Sequence, residues 1–233
     1  MRISLWSRLL DLVAPRLCCV CGRRLAMTEE TLCTVCNLHL PRLGLSEASF
    51  RDNIVARVFW GQVPVEKAYA LFYYYPHSGT SKILYELKYH NSPEIGTDMG
   101  RLMAGELLPL EFFDDIDVII PLPLSKKRQR GRGYNQSDML AKGISEITNI
   151  PYNAKVVRRI EFKESQTRLN KWERLKNVQG AFQLVNEEPL RGKHILLIDD
   201  VITTGATMIA CAQAMKHIED IKISFLSLAL TKG

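Results

Sequence analysis

The stretch His194-Ile-Leu-Leu-Ile-Asp-Asp-Val-Ile-Thr-Thr-Gly-Ala-Thr207 decides the fold. Four apolar residues read as a buried strand. Two carboxylates end it, and two threonines and a glycine turn the chain into a helix. Hydroxyls at Thr203, Thr204 and Thr207, the bare backbone at Gly205 and Ala206, and the unpaired amides of a helix N-terminus make a cradle for one phosphate group. Asp199 and Asp200 repel phosphate. They suit sugar hydroxyls beside it, or Mg²⁺ held directly or through water. Together these parts describe a ribose 5-phosphate site. The plainer alternative is a strand-to-helix turn with threonine as N-cap and a solvated acid pair.

Outward from this stretch, Ile116–Ile120, a strand beginning at Val156 and Val157, and Ile223–Leu230 are further short apolar runs. Helical spacing occupies Asn135–Ile147 and Thr207–His217 between them. Unalternating strands separated by helices predict an α/β fold, a parallel sheet with helices on both faces and its ligand at the carboxyl ends of the strands. Upstream, Val65–Tyr75 reads as a strand closed by Pro76, followed by helices over Ser78–Tyr89 and Thr97–Leu107. Trp6, Leu9, Leu10, Val13 and Leu17 recur at helical spacing and predict a short amphipathic helix over residues 3–14, ended by Pro15. Arg8 and Asp11 interrupt its apolar run, and no stretch approaches the ~20 apolar residues of a membrane span. A cytoplasmic protein is the expectation.

The 233 residues carry 31 Lys+Arg against 25 Asp+Glu, a net +6. Residues 121–180 alone hold 14 against 5, so the positive excess sits in one quarter of the chain. A polyanionic partner, a phosphate ester or nucleic acid, is implied. The cluster begins at Pro121-Leu-Pro-Leu-Ser-Lys-Lys-Arg-Gln-Arg-Gly-Arg-Gly-Tyr-Asn-Gln-Ser137. Ser125, Lys126, Lys127, Arg128, Arg130 and Arg132 are read as a basic loop just past a strand end, with Gly131 and Gly133 loosening the turn that follows. Pro121 and Pro123 could fix an unusual turn there, cis or trans. Residues 161–178 lack a strong period and carry Lys163, Arg168, Lys171, Trp172, Arg174 and Lys176. A basic segment with one Trp would suit a lid over a ligand, or single-stranded DNA.

Five of the six cysteines lie between residues 18 and 36, four of them as Cys18-x-x-Cys21 and Cys33-x-x-Cys36. Two such pairs supply four thiolates for a closed, structural tetrahedral zinc site. Two disulfides are the competing reading, disfavoured in a reducing compartment. Cys19 and Cys211 read as packing residues. His39 could substitute as a ligand, although a solvated histidine suits its position better.

Residues 194–207 resemble the phosphoribosyl pyrophosphate (PRPP) motif of type I phosphoribosyltransferases: apolar residues, two acids, two apolar residues, then Thr-x-Gly-x-Thr. The four cysteines, the Pro121–Ser137 segment, Lys88-Tyr89, Ser165-Gln-Thr, Arg174-Leu-Lys-Asn-Val and Gly180-Ala-Phe182 extend the resemblance over nearly the whole chain to the ComF family of competence-associated, phosphoribosyltransferase-like proteins. The resemblance implies a type I phosphoribosyltransferase core at 115–233, a hood or linking region at 43–114 and a helix with zinc finger at 1–42. It further implies that Asp199 and Asp200 hold the ribose hydroxyls and Mg²⁺, that residues 203–207 bind the 5-phosphate, and that Leu124–Lys127 meet the pyrophosphate. A role in natural transformation follows from it, with PRPP or a nucleotide-like ligand and transfer to an unknown acceptor. The alternative is a non-catalytic single-stranded-DNA-binding partner of a competence helicase. The chain has no Gly-x-x-x-x-Gly-Lys-Ser/Thr loop, so an ATP-driven motor would be another chain.

Overall fold

The computed structural model describes residues 15–44, 50–160 and 180–231. The expected helix at 3–14 and the lid candidate at 161–178, with Arg168, Lys171, Trp172, Arg174 and Lys176, lie outside them.

Helix α1 (Thr34–Leu38) belongs to the cysteine knuckle and is capped by Cys33. Helix α2 (Ala56–Phe59) is followed by strand β1 (Ala68–Tyr74), and then by α3 (Gly79–Tyr89) and α4 (Pro93–Leu107). Ser78 Oγ accepts the Ser81 amide and starts α3 where expected. Helix α4 begins four residues earlier than its apolar pattern, because Pro93, with its φ already helical, occupies the first turn. Strand β2 (Val118–Pro121) leads into α5 (Lys126–Arg132) and α6 (Gln136–Thr148). Strands β3 (Val157–Arg159) and β4 (Phe182–Leu184) precede β5 (His194–Ile202), α7 (Ala206–Met215) and β6 (Lys222–Thr231).

The sheet has four strands in the order β1-β6-β5-β2, all parallel. Side chains alternate through it: Leu196, Ile198, Leu226 and Leu228 face the core under α3, α4 and α6. Ile195, Leu197 and Phe225 face the core under α2 and α7, where Phe225 stacks on Phe59 at 4.1 Å between centroids. Apolar residues on both faces explain why these strands read as continuous runs.

One expected sheet member goes elsewhere. Strand β3 pairs antiparallel with β4 in a separate two-stranded ribbon. Its segment forms an isolated bridge to the sheet edge, between Tyr152 and Ile119, and packs Val156 and Val157 into the core beside Ile120. Val156 and Val157 are buried, but Arg158 is exposed and Arg159 half-buried, a strand with one wet face that a doubly covered sheet does not accept. Strand β1, from the stretch expected as hood or linker, lies in the sheet beside β6.

The knuckle shares the core of this body. Cys18, Leu25, Leu32, Cys33 and Leu40 are buried in the same cluster as Ile83, Leu87 and Met103 of α3 and α4. Polar contacts pin it there. Lys82 Nζ donates to the Val20 carbonyl at 2.8 Å, Thr31 Oγ1 donates to Asp98, and Arg101 bonds Glu30 at 3.2 Å. Helices α4 and α6 touch backbone to backbone: a Cβ on Gly100 would strike the Leu140 carbonyl, and one on Gly143 the Thr97 carbonyl.

Candidate functional site

Strand β5 carries its two acids within its paired length and runs on through Val201 and Ile202, which pair with Ala229 and Leu230 of β6, before the chain turns into α7 through Gly205. That glycine has φ +71°, and a Cβ there would lie 2.7 Å from Val58 Cγ1 and 3.1 Å from Phe59 Cε1. Left-handed backbone and the close approach of α2 both require glycine. Gly205 is also the N-cap of α7, with no side-chain cap. Thr204 Oγ1 stands 3.4 Å from the Ala206 amide, while Thr203 and Thr204 are exposed and Thr207 partly buried. Thr204 thus takes up one amide of the turn, as the plainer reading has it, while Thr203 and Thr204 stay at the surface, an arrangement that also suits an anion.

The two acids occupy different environments. Asp200 is 8% exposed and pairs with Lys88 Nζ at 3.0 Å. Asp199 accepts the Ser137 hydroxyl at 3.1 Å and the Asp200 amide at 2.9 Å. Burial, and then the neighbouring Asp200 charge, push the Asp199 carboxyl up to about 7 against the relief from those donors and Lys88. It is a carboxylate short of positive charge, the condition a bound cation relieves, so the pair fits Mg²⁺.

Lys88, Ser137 and Arg159 were given no role by the sequence reading. Lys88 comes from the last turn of α3, a place that strand and loop patterns do not mark. Ser137 lies in the first turn of α6, buried. Arg159 had a visible signal, since two arginines close the strand begun by Val156 and Val157 and one of them must turn inward. Its guanidinium packs 5.4 Å from the Phe182 ring centroid. Burial, and then Arg128, lower its pKa while Asp199 raises it, so two cations and the free acid share one field.

The basic segment is a helix rather than a loop. Ser125 Oγ accepts the Arg128 amide at 3.4 Å as N-cap, and Gly133 closes α5 at φ +79°. Gly131 lies within the helix, while Gly133 begins the turn of residues 133–135 into α6, and no peptide bond among the described residues is cis. Lys126, Lys127, Arg128 and Arg130 are exposed on α5; Leu124 and Ser125 are partly buried before it. Arg132 is held: its guanidinium donates to Gln136 Oε1 at 2.8 Å and lies 5.9 Å from the Tyr89 ring centroid.

In the knuckle, the sulfurs of Cys18, Cys21, Cys33 and Cys36 all lie within 4.8 Å of one another. Cys21 Sγ and Cys33 Sγ are 3.8 Å apart, too far for a disulfide and close to the edge of a tetrahedron with ~2.3 Å metal–sulfur bonds. Burial pushes the Cys18 thiol up, but the amides of Cys33, Cys21 and Val20 outweigh it and bring it down to about 7. Burial and the adjoining thiols push Cys36 up. One thiolate forms readily and the next is resisted, as a thiol set without a cation must behave, and the set fits Zn²⁺. Cys19 is pushed up to about 12 by burial and then by Cys18. Cys211 is fully buried in α7, and His39 Nδ1 sits 2.7 Å from the Val35 carbonyl. None of these three joins the cluster.

A parallel sheet with an acid pair and a glycine turn into a helix at its carboxyl edge has the form of a phosphoribosyltransferase fold, and residues 140–228 match the Phosphoribosyl transferase domain family. The chain is 30% identical over 207 residues to the DNA utilization protein YhgH of Escherichia coli O6:H1, covering 85% of this chain and 83% of that one. It is 36% identical over 118 residues to Competence protein F of Haemophilus influenzae, covering 48% of this chain and 51% of that one. Among solved structures it is similar to the glutamine PRPP amidotransferase of B. subtilis complexed with ADP and GMP, with 17% identity, a TM-score of 0.40, 60% of this chain and 30% of that one. The chain belongs to the ComF family. No helix among the described residues is long and apolar enough to cross a membrane.

Proposed function

We propose that the chain binds PRPP or a related phosphoribosyl ligand with Mg²⁺ at the carboxyl edge of β5 and serves DNA uptake in natural transformation. The observation that carries this reading is the unequal acid pair beside an uncapped helix N-terminus: Asp200 neutralised by Lys88, Asp199 left with its proton near pH 7. Residues 203–207 hold the 5-phosphate, and Asp199 and Asp200 receive the ribose hydroxyls. Mg²⁺, when bound, supplies the positive charge that a departing diphosphate needs. Arg159 and Arg128, which feel each other's charge beside Asp199, extend that field over the diphosphate, with Leu124–Lys127 at the start of α5 beside it. If an acceptor is present, these residues suit transfer of the phosphoribosyl group through an oxocarbenium-like state, in which positioning and charge do the work and no protein nucleophile is needed.

The knuckle holds one structural Zn²⁺ through Cys18, Cys21, Cys33 and Cys36, which requires a reducing, cytoplasmic setting. Calorimetric titration with PRPP and Mg²⁺ tests the ligand; no detectable binding sinks the reading. A second reading is supported by the exposed cations of α5 and by the printed names of the relatives, which concern competence and DNA utilization. In it the chain binds single-stranded DNA beside a helicase, and neutralising Lys126, Lys127 and Arg130 lowers the salt dependence of binding by about 0.7 of a unit of slope for each. Binding that ignores salt counts against it.

A further inference from the structure

Lys88 brings the acid pair a positive charge of the chain's own. Its Nζ lies 3.0 Å from Asp200 Oδ2, with the two side chains 20% and 12% exposed. A lysine in the last turn of a helix ordinarily keeps its ammonium in water, where it already suits the helix dipole. This one reaches from α3 to β5, and the helix end that carries it is pinned: Tyr134 Oη donates to the Leu87 carbonyl at 2.5 Å, and the His90 amide donates to the Glu86 carbonyl. An ammonium has three N–H donors, and Asp200 is the one acceptor it reaches among the described residues. Lys88 also lines a cavity of about 340 Å³ together with Thr203 of the turn into α7 and Thr231 at the end of β6.

Spare donors on a mostly buried cation, beside the hydroxyls of that turn, suit the oxygens of an anion. The same cation resists a metal ion at Asp200 until a ligand adds oxygens of its own. We infer that Lys88 is a ligand-binding residue that supplies the positive charge for a ribose 5-phosphate group by itself, so that the site holds this group without Mg²⁺ and needs the metal only when the ligand also carries a diphosphate. This rests on the phosphoribosyl reading and divides the ligands of that site into two classes. A phosphomonoester brings about 1.5 to 2 negative charges near neutral pH, and with Lys88 on Asp200 it meets one uncompensated carboxylate fewer. A diphosphate on the same sugar adds charge that one ammonium does not offset, and that a divalent ion with its demand for oxygen ligands does.

The test is calorimetry with ribose 5-phosphate and with PRPP on the full chain, each in buffer freed of divalent ions by a chelating resin and in buffer with Mg²⁺. The unaltered protein is expected to bind ribose 5-phosphate equally in both, and to lose about tenfold or more of its PRPP affinity without the metal. In metal-free buffer Lys88→Met loses about tenfold or more of the ribose 5-phosphate affinity, and Lys88→Arg keeps most of it. Ribose 5-phosphate that binds the unaltered protein only with Mg²⁺ overturns the inference without any variant, and so does PRPP that binds equally with and without the metal. Lys88→Met that binds ribose 5-phosphate as tightly as the unaltered protein, or Lys88→Arg that loses as much as Lys88→Met, removes the charge of Lys88 from the account. In each of these cases PRPP binding with Mg²⁺ leaves the phosphoribosyl reading standing. If neither ligand binds in either buffer, that reading falls and the role of Lys88 with it.

Discussion

The knuckle and the cradle each crowd ionisable groups of one kind into a small space, and the fold handles them in opposite ways. Around the four thiols the protein supplies amides to Cys18 and Cys33, and the remaining repulsion waits for a cation. Around the two carboxylates it supplies its own cation, Lys88, to one acid and leaves the other to burial. A cluster that cannot neutralise itself suits a structural metal, bound as the chain folds. A cluster that half-neutralises itself can stand empty, accept a ligand and release it. That difference separates scaffold from working site.

Breaking the knuckle tests the first half. Cys33→Ser is expected to lower stability by more than about 3 kcal/mol, because the lost metal also loosens core shared with α3 and α4. Urea unfolding measures the loss, and metal analysis of the unaltered protein should give one equivalent of zinc. Less than about half an equivalent removes the basis of the comparison.

Next in size, Gly205→Ala puts a side chain at φ +71° against Val58 and should cost about 2 kcal/mol and most of the phosphate affinity. Retained stability with lost binding would place the strain in the ligand site alone. Lys88→Met leaves Asp200 without its partner, at a cost of about 2 kcal/mol once its slight exposure is allowed for. Lys88→Arg should keep most of that stability, and an equal loss in Lys88→Arg would mean that Lys88 matters by packing.

Asp199→Asn gives a smaller effect with a definite sign. The carboxyl titrates near 7 when folded and near 3.8 when not, so its contribution is fully present below pH 4 and is lost as pH rises through 7. In metal-free buffer the variant should match the unaltered protein at low pH and exceed it in stability at pH 8. Denaturation profiles that fall in parallel would show that the acid is not held short of charge. Ser137→Ala should cost about 1 kcal/mol, the smallest of these changes, and raise the Asp199 pKa further.

The sequence made the central strand, its acid pair and the cysteine set readable because each is local: spacing along the chain equals proximity in space. Helices α3 and α6 were equally plain, with Ser78 and Asn135 at their caps. What escaped came from distance. Lys88 and Asp200 are far apart in sequence, and nothing near either names the other. Strand β3 looked like its neighbours until Arg158 and Arg159 gave it a wet face, and the basic run read as loop because charge masks the cap pattern of Ser125 and Gly133. The lesson of Arg159 is that a cation closing an apolar strand marks a site before any partner is visible.

Gly100 and Gly143 leave no side chain between α4 and α6, so the two helices meet like machined faces with no gasket. The knuckle rides on α4 through Thr31, Glu30 and Arg42, and α6 begins at the hydroxyl that holds Asp199. The spacing between the four cysteines and the acid pair is thereby fixed by main-chain contact, with no tolerance to absorb even one added methyl group.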